Sequence, residues 1–156
     1  MEFKAYKMDG LGNDFVIIDN RDKVIKLTQD QIIKICNRNF IGCDQLIFIH
    51  KNKNTDGTLE FFNSDGGLSG ACGNGTRCVA YLIARENNKK KIYLTTATGE
   101  LKSEILQDKI VTTEIGKAKT EWGQADDLLA DIDESILLHY YNKHKEEIDE
   151  WTKEER

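Results

Sequence analysis

Residues Phe62–Ala84 read FNSDGGLSGACGNGTRCVAYLIA, a glycine-rich segment that runs directly into an apolar one. The stretch holds five glycines and two cysteines. Its second part predicts a short helix over Thr76–Arg85 that is apolar nearly all round, and such a helix is normally buried. The stretch therefore predicts a flexible turn that enters a buried helix.

Runs of apolar and β-branched residues predict strands on both sides of this helix. The predicted strands are Phe3–Lys7, Phe15–Ile18, Leu46–Ile49, Thr58–Asn63, Ile92–Thr96, Gly99–Leu106 and Lys109–Ile115. Thr28 is the predicted N-cap of a further helix over Gln29–Arg38. Short turns join most of the strands, so the predicted fold class is α+β, with a mostly antiparallel sheet wrapped around a buried central helix.

The composition is that of a globular protein of 156 residues with a net charge of −5. The acidity is concentrated at the C-terminal end, since residues 120–156 carry 4 basic and 12 acidic side chains. No basic stripe suited to nucleic acid is present. No apolar run is long enough to span a bilayer, and the N-terminus lacks a secretory signal, so we expect a cytoplasmic protein without a membrane partner.

A separate C-terminal segment is predicted from the change in character near Ala125. Asp131–Glu155 is highly charged, with apolar and aromatic residues at helical spacing, and predicts an acidic amphipathic helix. Three interpretations stay open for it: a solvated helix packed on the domain, a helix that docks a partner, and an aberrant extension.

The four cysteines lack the paired spacing of a zinc site, so no metal site is predicted. Cys72 lies just before the predicted helix, where the positive end of the helix dipole favours a negative charge. Gly73, Asn74 and Gly75 leave backbone N–H groups exposed, which is how helix N-termini hold small anions. The pattern is compatible with a catalytic thiolate beside an anion site, but a single cysteine after a glycine-rich turn is more often a packing residue.

The other cysteines, Cys36, Cys43 and Cys78, are predicted to pack in the interior. Cys78 falls within the apolar helix, and nothing around the other two indicates a reactive thiol.

Amide side chains lie at the ends of three predicted strands: Asn13, Gln45 and Asn63. Each offers both hydrogen-bond donors and acceptors, which suits recognition of a zwitterion. Any one of them alone is also compatible with a turn residue that bonds its own backbone. Their occurrence on successive loops favours a binding site.

Four segments together resemble the diaminopimelate epimerase family. Lys7–Asp19 resembles the opening of that family, Gly42–Gln45 and Phe62–Gly66 resemble its next two signatures, and Ala71–Ala80 resembles its first active-site cysteine motif. Ile115–Trp122 resembles the segment that crosses between the two halves of the family's fold. The resemblance predicts an N-terminal epimerase domain over residues 1–122 and an unrelated acidic tail over residues 123–156.

The resemblance implies a cofactor-independent isomerase that interconverts LL- and meso-diaminopimelate in lysine and peptidoglycan precursor synthesis. Such enzymes invert an α-carbon with two cysteines, one acting as base and the other as acid. By this resemblance Cys72 is one of the two thiols. Asn13, Gln45, Asn63, Gly73 and Asn74 would bind the substrate.

The chain departs from the family pattern in two places. The loop Gly67–Gly70 stands where the family often has polar or acidic residues. More importantly, the family's second half, with its second catalytic cysteine, has no counterpart after Trp122.

Two hypotheses follow from these departures. In the first, the chain is the N-terminal half of an epimerase and is incomplete without a C-terminal half, which is either a separate chain or lost by truncation. In the second, it is a catalytically inactive module for amino-acid binding or protein interaction. Self-association that brings two copies of Cys72 to one cavity is a further alternative.

Overall fold

A computed structural model describes residues 4–22, 24–107 and 109–115 of the chain. The helices are α1 (Gln29–Cys36) and α2 (Gly73–Asn87), and the strands are β1 (Ala5–Gly10), β2 (Asn13–Asn20), β3 (Gln45–His50), β4 (Gly57–Asn63), β5 (Leu68–Ser69), β6 (Lys91–Thr96), β7 (Gly99–Gln107) and β8 (Ile110–Glu114). Neither helix of these described ranges has the length and apolar character needed to cross a membrane. The predicted helix over Asp131–Glu155 lies outside the described residues.

The strands of the described ranges form one mixed sheet in the order β1-β2-β3-β4-β6-β7-β8, and β5 pairs with β4. Helix α2 contacts β1 and β2 near one end of this order and β6, β7 and β8 at the other. Because one helix reaches strands at both ends, the sheet must curl around it. The α+β class and the wrapped sheet are therefore confirmed.

The sheet contains two parallel pairs within its antiparallel framework. Strands β2 and β3 run parallel, as do β4 and β6, and the other pairs are antiparallel. Parallel neighbours need a crossover connection, which is usually helical. Helix α1 lies in the crossover from β2 to β3, and α2 lies in that from β4 to β6.

Burial of α2 on all sides, expected from its sequence, is not confirmed. One face is buried, including Val79, Ala80 and Ile83. Arg77 and Tyr81 are only partly buried and Arg85 is exposed. These three residues are four positions apart and share one face of the helix. The helix is therefore amphipathic, with its apolar side on the concave face of the sheet.

Three helix ends differ from the predicted ones, including the C-terminal end of α2, which lies at Asn87 instead of Arg85. Helix α2 begins at Gly73, three residues earlier than expected, because Cys72 serves as its N-cap. Helix α1 ends at Cys36, because the N–H groups of Gly42 and Cys43 bond to the carbonyls of Ile35 and Cys36. The predicted N-cap Thr28 is confirmed, with a reciprocal capping box to Gln31.

The core lies on both faces of the sheet. In β2, Phe15 and Ile17 face the cluster that contains α2, and Val16 and Ile18 face the cluster that contains α1. Alternate residues of β3 divide in the same way. Strands that are buried on both faces have continuous apolar runs rather than an alternating pattern. This explains why Phe15–Ile18 and Leu46–Ile49 are apolar throughout.

The first turn of α2 packs very closely on the sheet at Gly75. A Cβ atom at this position would lie 2.7 Å from Cδ1 of Ile47 and 3.1 Å from Cε1 of Phe61. Both neighbours are fully buried and cannot move aside freely. At Gly73, by contrast, the nearest atoms would be 3.8 Å away. The helix can approach the sheet only because residue 75 has no side chain.

We predict that Gly75→Ala lowers the free energy of unfolding by about 2 kcal/mol, because it overpacks the core. Gly73→Ala is the matched control. It lies in the same helical turn and should be neutral or stabilising by up to about 1 kcal/mol. Urea denaturation followed by circular dichroism measures both. An equal loss of stability in the two variants would contradict the role assigned to the close contact.

An ion cluster ties the start of β2 to the connection between α1 and β3. Asp14 binds Lys7 at 2.6 Å and Arg38 at 2.6 Å, and Arg38 also binds Asp44 at 2.6 Å. Lys7 donates in addition to the carbonyl of Gly42. The guanidinium of Arg38, followed by the ammonium of Lys7, holds the pKa of Asp14 well below its usual range.

The lowered pKa makes the contribution of Asp14 to stability dependent on pH. The contribution is complete above the unfolded-state pKa of about 4 and is lost as the pH falls towards the lower folded-state pKa. Between pH 6 and pH 3 the free energy of unfolding of the wild-type chain falls. We therefore predict that this fall is about 1 kcal/mol smaller in Asp14→Asn. Urea denaturation across this range measures the difference. The exposed Asp22→Asn variant should keep the wild-type pH dependence, and an identical slope for Asp14→Asn would refute the prediction.

Candidate active site

Cys72 is the N-cap of α2 and has extended backbone angles, with φ −142° and ψ 114°. Its sulfur accepts a hydrogen bond from the N–H of Gly75 at 3.5 Å. Its carbonyl accepts from Thr76 N at 2.8 Å and from Thr76 Oγ1 at 2.9 Å. The thiol is therefore held on the axis of the helix, at the positive end of its dipole.

Two N–H groups of the same turn are available to a ligand. The first four N–H groups of a helix have no partner within it, and here Gly75 and Thr76 are satisfied by Cys72. Within the described part of the chain, the N–H groups of Gly73 and Asn74 have no hydrogen-bond acceptor. These two donors lie directly beside the sulfur and suit a carboxylate.

Asn13, the first residue of β2, reaches this helix N-terminus. Its Oδ1 atom lies 3.6 Å from the sulfur of Cys72 and 3.5 Å from Nδ2 of Asn74. Its Nδ2 atom donates to Asp44 Oδ2 at 2.7 Å. Asn74 in turn accepts a hydrogen bond from Arg77. The predicted residues Asn13, Cys72 and Asn74 are thus in direct contact.

Gln45 and Asn63 form a second group on β3 and β4. They are directly opposite in the antiparallel pair, and Gln45 Nε2 donates to Asn63 Oδ1 at 3.0 Å and to Ser69 Oγ at 3.3 Å. The other end of the amide, Gln45 Oε1, is buried and has no hydrogen-bond partner among the described residues. A buried acceptor without a partner is costly in a folded protein, so a water molecule or a ligand is expected to supply the donor.

The two groups lie at the same edge of the sheet. Asn13 and Gln45 begin the parallel strands β2 and β3, and Asn63 ends β4, which runs antiparallel to β3. Asp44 connects the groups, since it bonds to Asn13 and precedes Gln45 in the chain.

Sequence reasoning assigned no role to two polar residues here, Asp44 and Ser69. Asp44 lies within the quoted motif Gly42–Gln45, but its bond to Asn13 joins residues 31 positions apart. Ser69 contacts Gln45 only because β5 folds back on β4. Neither contact has a local signal in the sequence.

The other three cysteines are buried, as predicted. The sulfur atoms of Cys36 and Cys43 are 3.4 Å apart, and burial together with this neighbour raises the pKa of Cys36 to about 12. Burial raises the pKa of Cys78 to about 11. Cys36 and Cys78 are therefore protonated at neutral pH and unsuited to act as bases.

A cavity of about 690 Å³ lies between β1, α2 and β8 and borders this cluster, since Arg77, which bonds to Asn74, lines it. Its lining includes Lys7, Arg77, Cys78 and Tyr81, but neither Cys72 nor the amide side chains of Gln45 and Asn63. We place the candidate site at Cys72 because the free donors and the partly exposed thiol converge there. In the described residues, no group of three or more His, Cys, Asp or Glu side chains is arranged to hold a metal ion.

Comparison with known proteins gives a consistent result. The family model for diaminopimelate epimerase matches residues 5–121. A diaminopimelate epimerase from Pelagibacter ubique (strain HTCC1062) is 64% identical over 122 residues, which cover 78% of this chain and 44% of that protein. One from Phenylobacterium zucineum (strain HLK1) is 38% identical over 119 residues, which cover 76% of this chain and 43% of the relative.

A solved structure supports the fold. A hydroxyproline epimerase from Agrobacterium vitis is 14% identical, with a TM-score of 0.51 over 70% of this chain and 40% of that one. At this identity the likeness concerns the fold alone.

The chain spans less than half the length of the two curated relatives described above. The matched region, residues 5–121, nevertheless contains every residue of the candidate site. It also makes up most of the 156 residues of this chain. The chain belongs to the diaminopimelate epimerase family.

Proposed function

We propose that this chain is the N-terminal half of a cofactor-independent diaminopimelate epimerase, with residues 1–122 as its epimerase domain. In this proposal Cys72 is one of two thiols that exchange a proton with the α-carbon of the substrate. The main support is the position of the Cys72 sulfur beside the free N–H groups of Gly73 and Asn74. Its role would lie in cytoplasmic synthesis of lysine and peptidoglycan precursors.

The reaction moves one proton in and one proton out, so it needs no redox partner. A thiolate takes the α-proton, and the electron pair of the C–H bond stays on the substrate and spreads into its carboxylate. A thiol on the opposite face then gives a proton to the same carbon and becomes a thiolate. The N–H groups of Gly73 and Asn74 are suited to hold the carboxylate while its negative charge increases.

The amide side chains would orient the rest of the amino acid. Gln45 Oε1 is suited to accept a hydrogen bond from the substrate ammonium group, because it is the buried acceptor that the described chain leaves unpaired. Asn63 holds the other end of the Gln45 amide. Asn13 and Asn74 border the sulfur itself.

The second thiol must come from another polypeptide segment. Cys78 lies in the core cluster beneath α2, and Cys36 and Cys43 lie in the cluster on the other face of the sheet. None of these three contacts the free N–H groups of α2 in the described structure. A C-terminal half would supply the missing acid or base.

Exposed apolar side chains around the site favour such a partner. Leu11 is 86% exposed beside the Asn13 loop, and Leu68 is 69% exposed beside Ser69. Ile115 is 72% exposed, with its Cγ2 atom 3.8 Å from the Cβ position at Gly73. Apolar side chains grouped around a polar site are typical of an interface. The same observation favours the alternative, an inactive module that binds a partner or a second copy of itself.

We predict that the chain alone does not epimerise diaminopimelate, and that it does so when mixed with a separately produced C-terminal half. The part of the Pelagibacter ubique relative that follows its matched region is a suitable second chain. In this mixture Cys72→Ala should lower kcat by at least about 100-fold, because it removes an acid/base group. Conversion of the LL to the meso isomer is followed by chiral chromatography.

The matched control is Cys36→Ala, which removes a buried thiol from the opposite face of the sheet and should keep most of the activity of the mixture. Equal activity in the Cys72→Ala and unsubstituted mixtures would refute the assignment of Cys72. Exchange of the α-proton in D₂O by the chain alone, together with a dimeric mass, would favour two Cys72 thiols in a self-associated site.

A further inference from the structure

The amide of Asn13 can present either of two chemically opposite groups to Cys72. Its Oδ1 atom accepts hydrogen bonds and its Nδ2 atom donates them, and a half-turn of the side-chain amide exchanges the two. The group that faces the sulfur therefore decides whether the thiol meets an acceptor or a donor. Cys72 does not settle this choice, because a thiol can both donate and accept hydrogen bonds. Asn74 favours Oδ1, because its own Oδ1 accepts from Arg77 and its Nδ2 faces Asn13, but this contact is long at 3.5 Å.

Asp44 fixes the orientation of the Asn13 amide, because a carboxylate can only accept hydrogen bonds. The end of the Asn13 amide that faces Asp44, 2.7 Å away, must be Nδ2. The opposite end, Oδ1, then faces the sulfur of Cys72 at 3.6 Å. The short bond to Asp44 at 2.7 Å and the longer contact from Asn74 at 3.5 Å thus favour the same orientation.

Asp44 is itself held on several sides. Its Oδ1 atom accepts from Arg38 at 2.6 Å, and its Oδ2 atom accepts from the backbone N–H of Asp14 at 3.0 Å. Its own N–H group donates to the carbonyl and the side chain of Asp14 at 3.0 Å and 2.9 Å. The carboxylate therefore has little freedom to turn away from Asn13.

We infer that Asp44 is a positioning residue that locks the Asn13 amide with Oδ1 towards the Cys72 thiol. The inference rests on the proposed function for its importance in catalysis. In that setting the S–H proton of Cys72 points to Asn13 Oδ1 while the sulfur accepts from Gly75 N–H. The acceptor Asn13 Oδ1 suits the thiol form of Cys72, and the donor Gly75 N–H suits the thiolate form. A residue that alternates between acid and base needs both.

The direct test on the unsubstituted chain is side-chain amide NMR with ¹⁵N labelling. A proton on Asn13 Nδ2 that is bonded to a carboxylate should exchange with solvent at least about tenfold more slowly than those of exposed asparagines such as Asn39. Exchange at the rate of Asn39 would overturn the inference. This measurement needs neither a variant nor epimerase activity, so it can fail while the proposed function holds.

The variant test is Asp44→Asn, which keeps the shape of the side chain but can both donate and accept. The Asn13 amide should then turn in part of the molecules and present Nδ2–H to the sulfur. Alkylation of Cys72 by iodoacetamide at pH 7, read by peptide mass spectrometry, should accelerate by about threefold or more, because the new donor stabilises the thiolate. A rate within the error of the wild-type rate would overturn the inference.

Two controls separate positioning from a general loss of structure. Arg38→Gln removes an ion pair from Asp44 but leaves the carboxylate facing Asn13, so the alkylation rate should stay near that of wild type. In an Asn13→Ala background, Asp44→Asn should have no further effect, because the amide through which it acts is absent. An equal acceleration by Asp44→Asn with and without Asn13 would show that Asp44 acts by another route and would contradict the inference.

Discussion

The close approach of α2 to the sheet at Gly75 is the constraint on which the rest of the site depends. The helix begins directly above Ile47 and Phe61, and a single methyl group at residue 75 would overpack this contact. The first turn of α2 packs closely on the sheet. Cys72, the residue before this turn, therefore caps the helix at the edge of the sheet. The thiol, the free N–H groups and the contact between Asn13 and the sulfur all lie at the helix end that this contact positions. A glycine needed for packing thus also determines the chemistry that the helix end can support.

Strand direction explains why three separate segments of the chain meet at this helix end. Strands β2 and β3 are parallel and begin at the same edge, and β4 returns to that edge because it is antiparallel to β3. Asn13, Gln45 and Asn63 occupy the corresponding strand ends. The crossover through α1 therefore makes both strands begin at this edge. It also brings Asp44 to the start of β3, where the carboxylate fixes the side chain of Asn13.

The sequence predicted well what depends on local pattern, and less well what depends on distant contacts. The apolar runs Phe15–Ile18 and Leu46–Ile49 identified strands, and Thr28 identified a helix start, because periodicity and capping act over a few residues. The start of α2 was placed three residues late, since the glycines at its beginning have low helix propensity and only packing on the sheet makes them helical. The partial exposure of α2 and the bond between Asn13 and Asp44 arise from tertiary structure and have no local signal.

A site built at the end of one helix has an inherent limit, because it approaches a substrate carbon from one side. In the proposed function, Cys72 and the neighbouring N–H groups hold a carboxylate and exchange a proton on one face, and inversion requires a second group on the other. Asn13 and Gly75, which contact the Cys72 sulfur, and Asp44, which bonds to Asn13, all belong to the described residues. In the proposed function, the chain would therefore bring an already oriented thiol to a complex with a C-terminal half. Such a partner would need to add the opposite thiol and cover the exposed apolar side chains Leu11, Leu68 and Ile115. It would not need to rearrange the groups around Cys72.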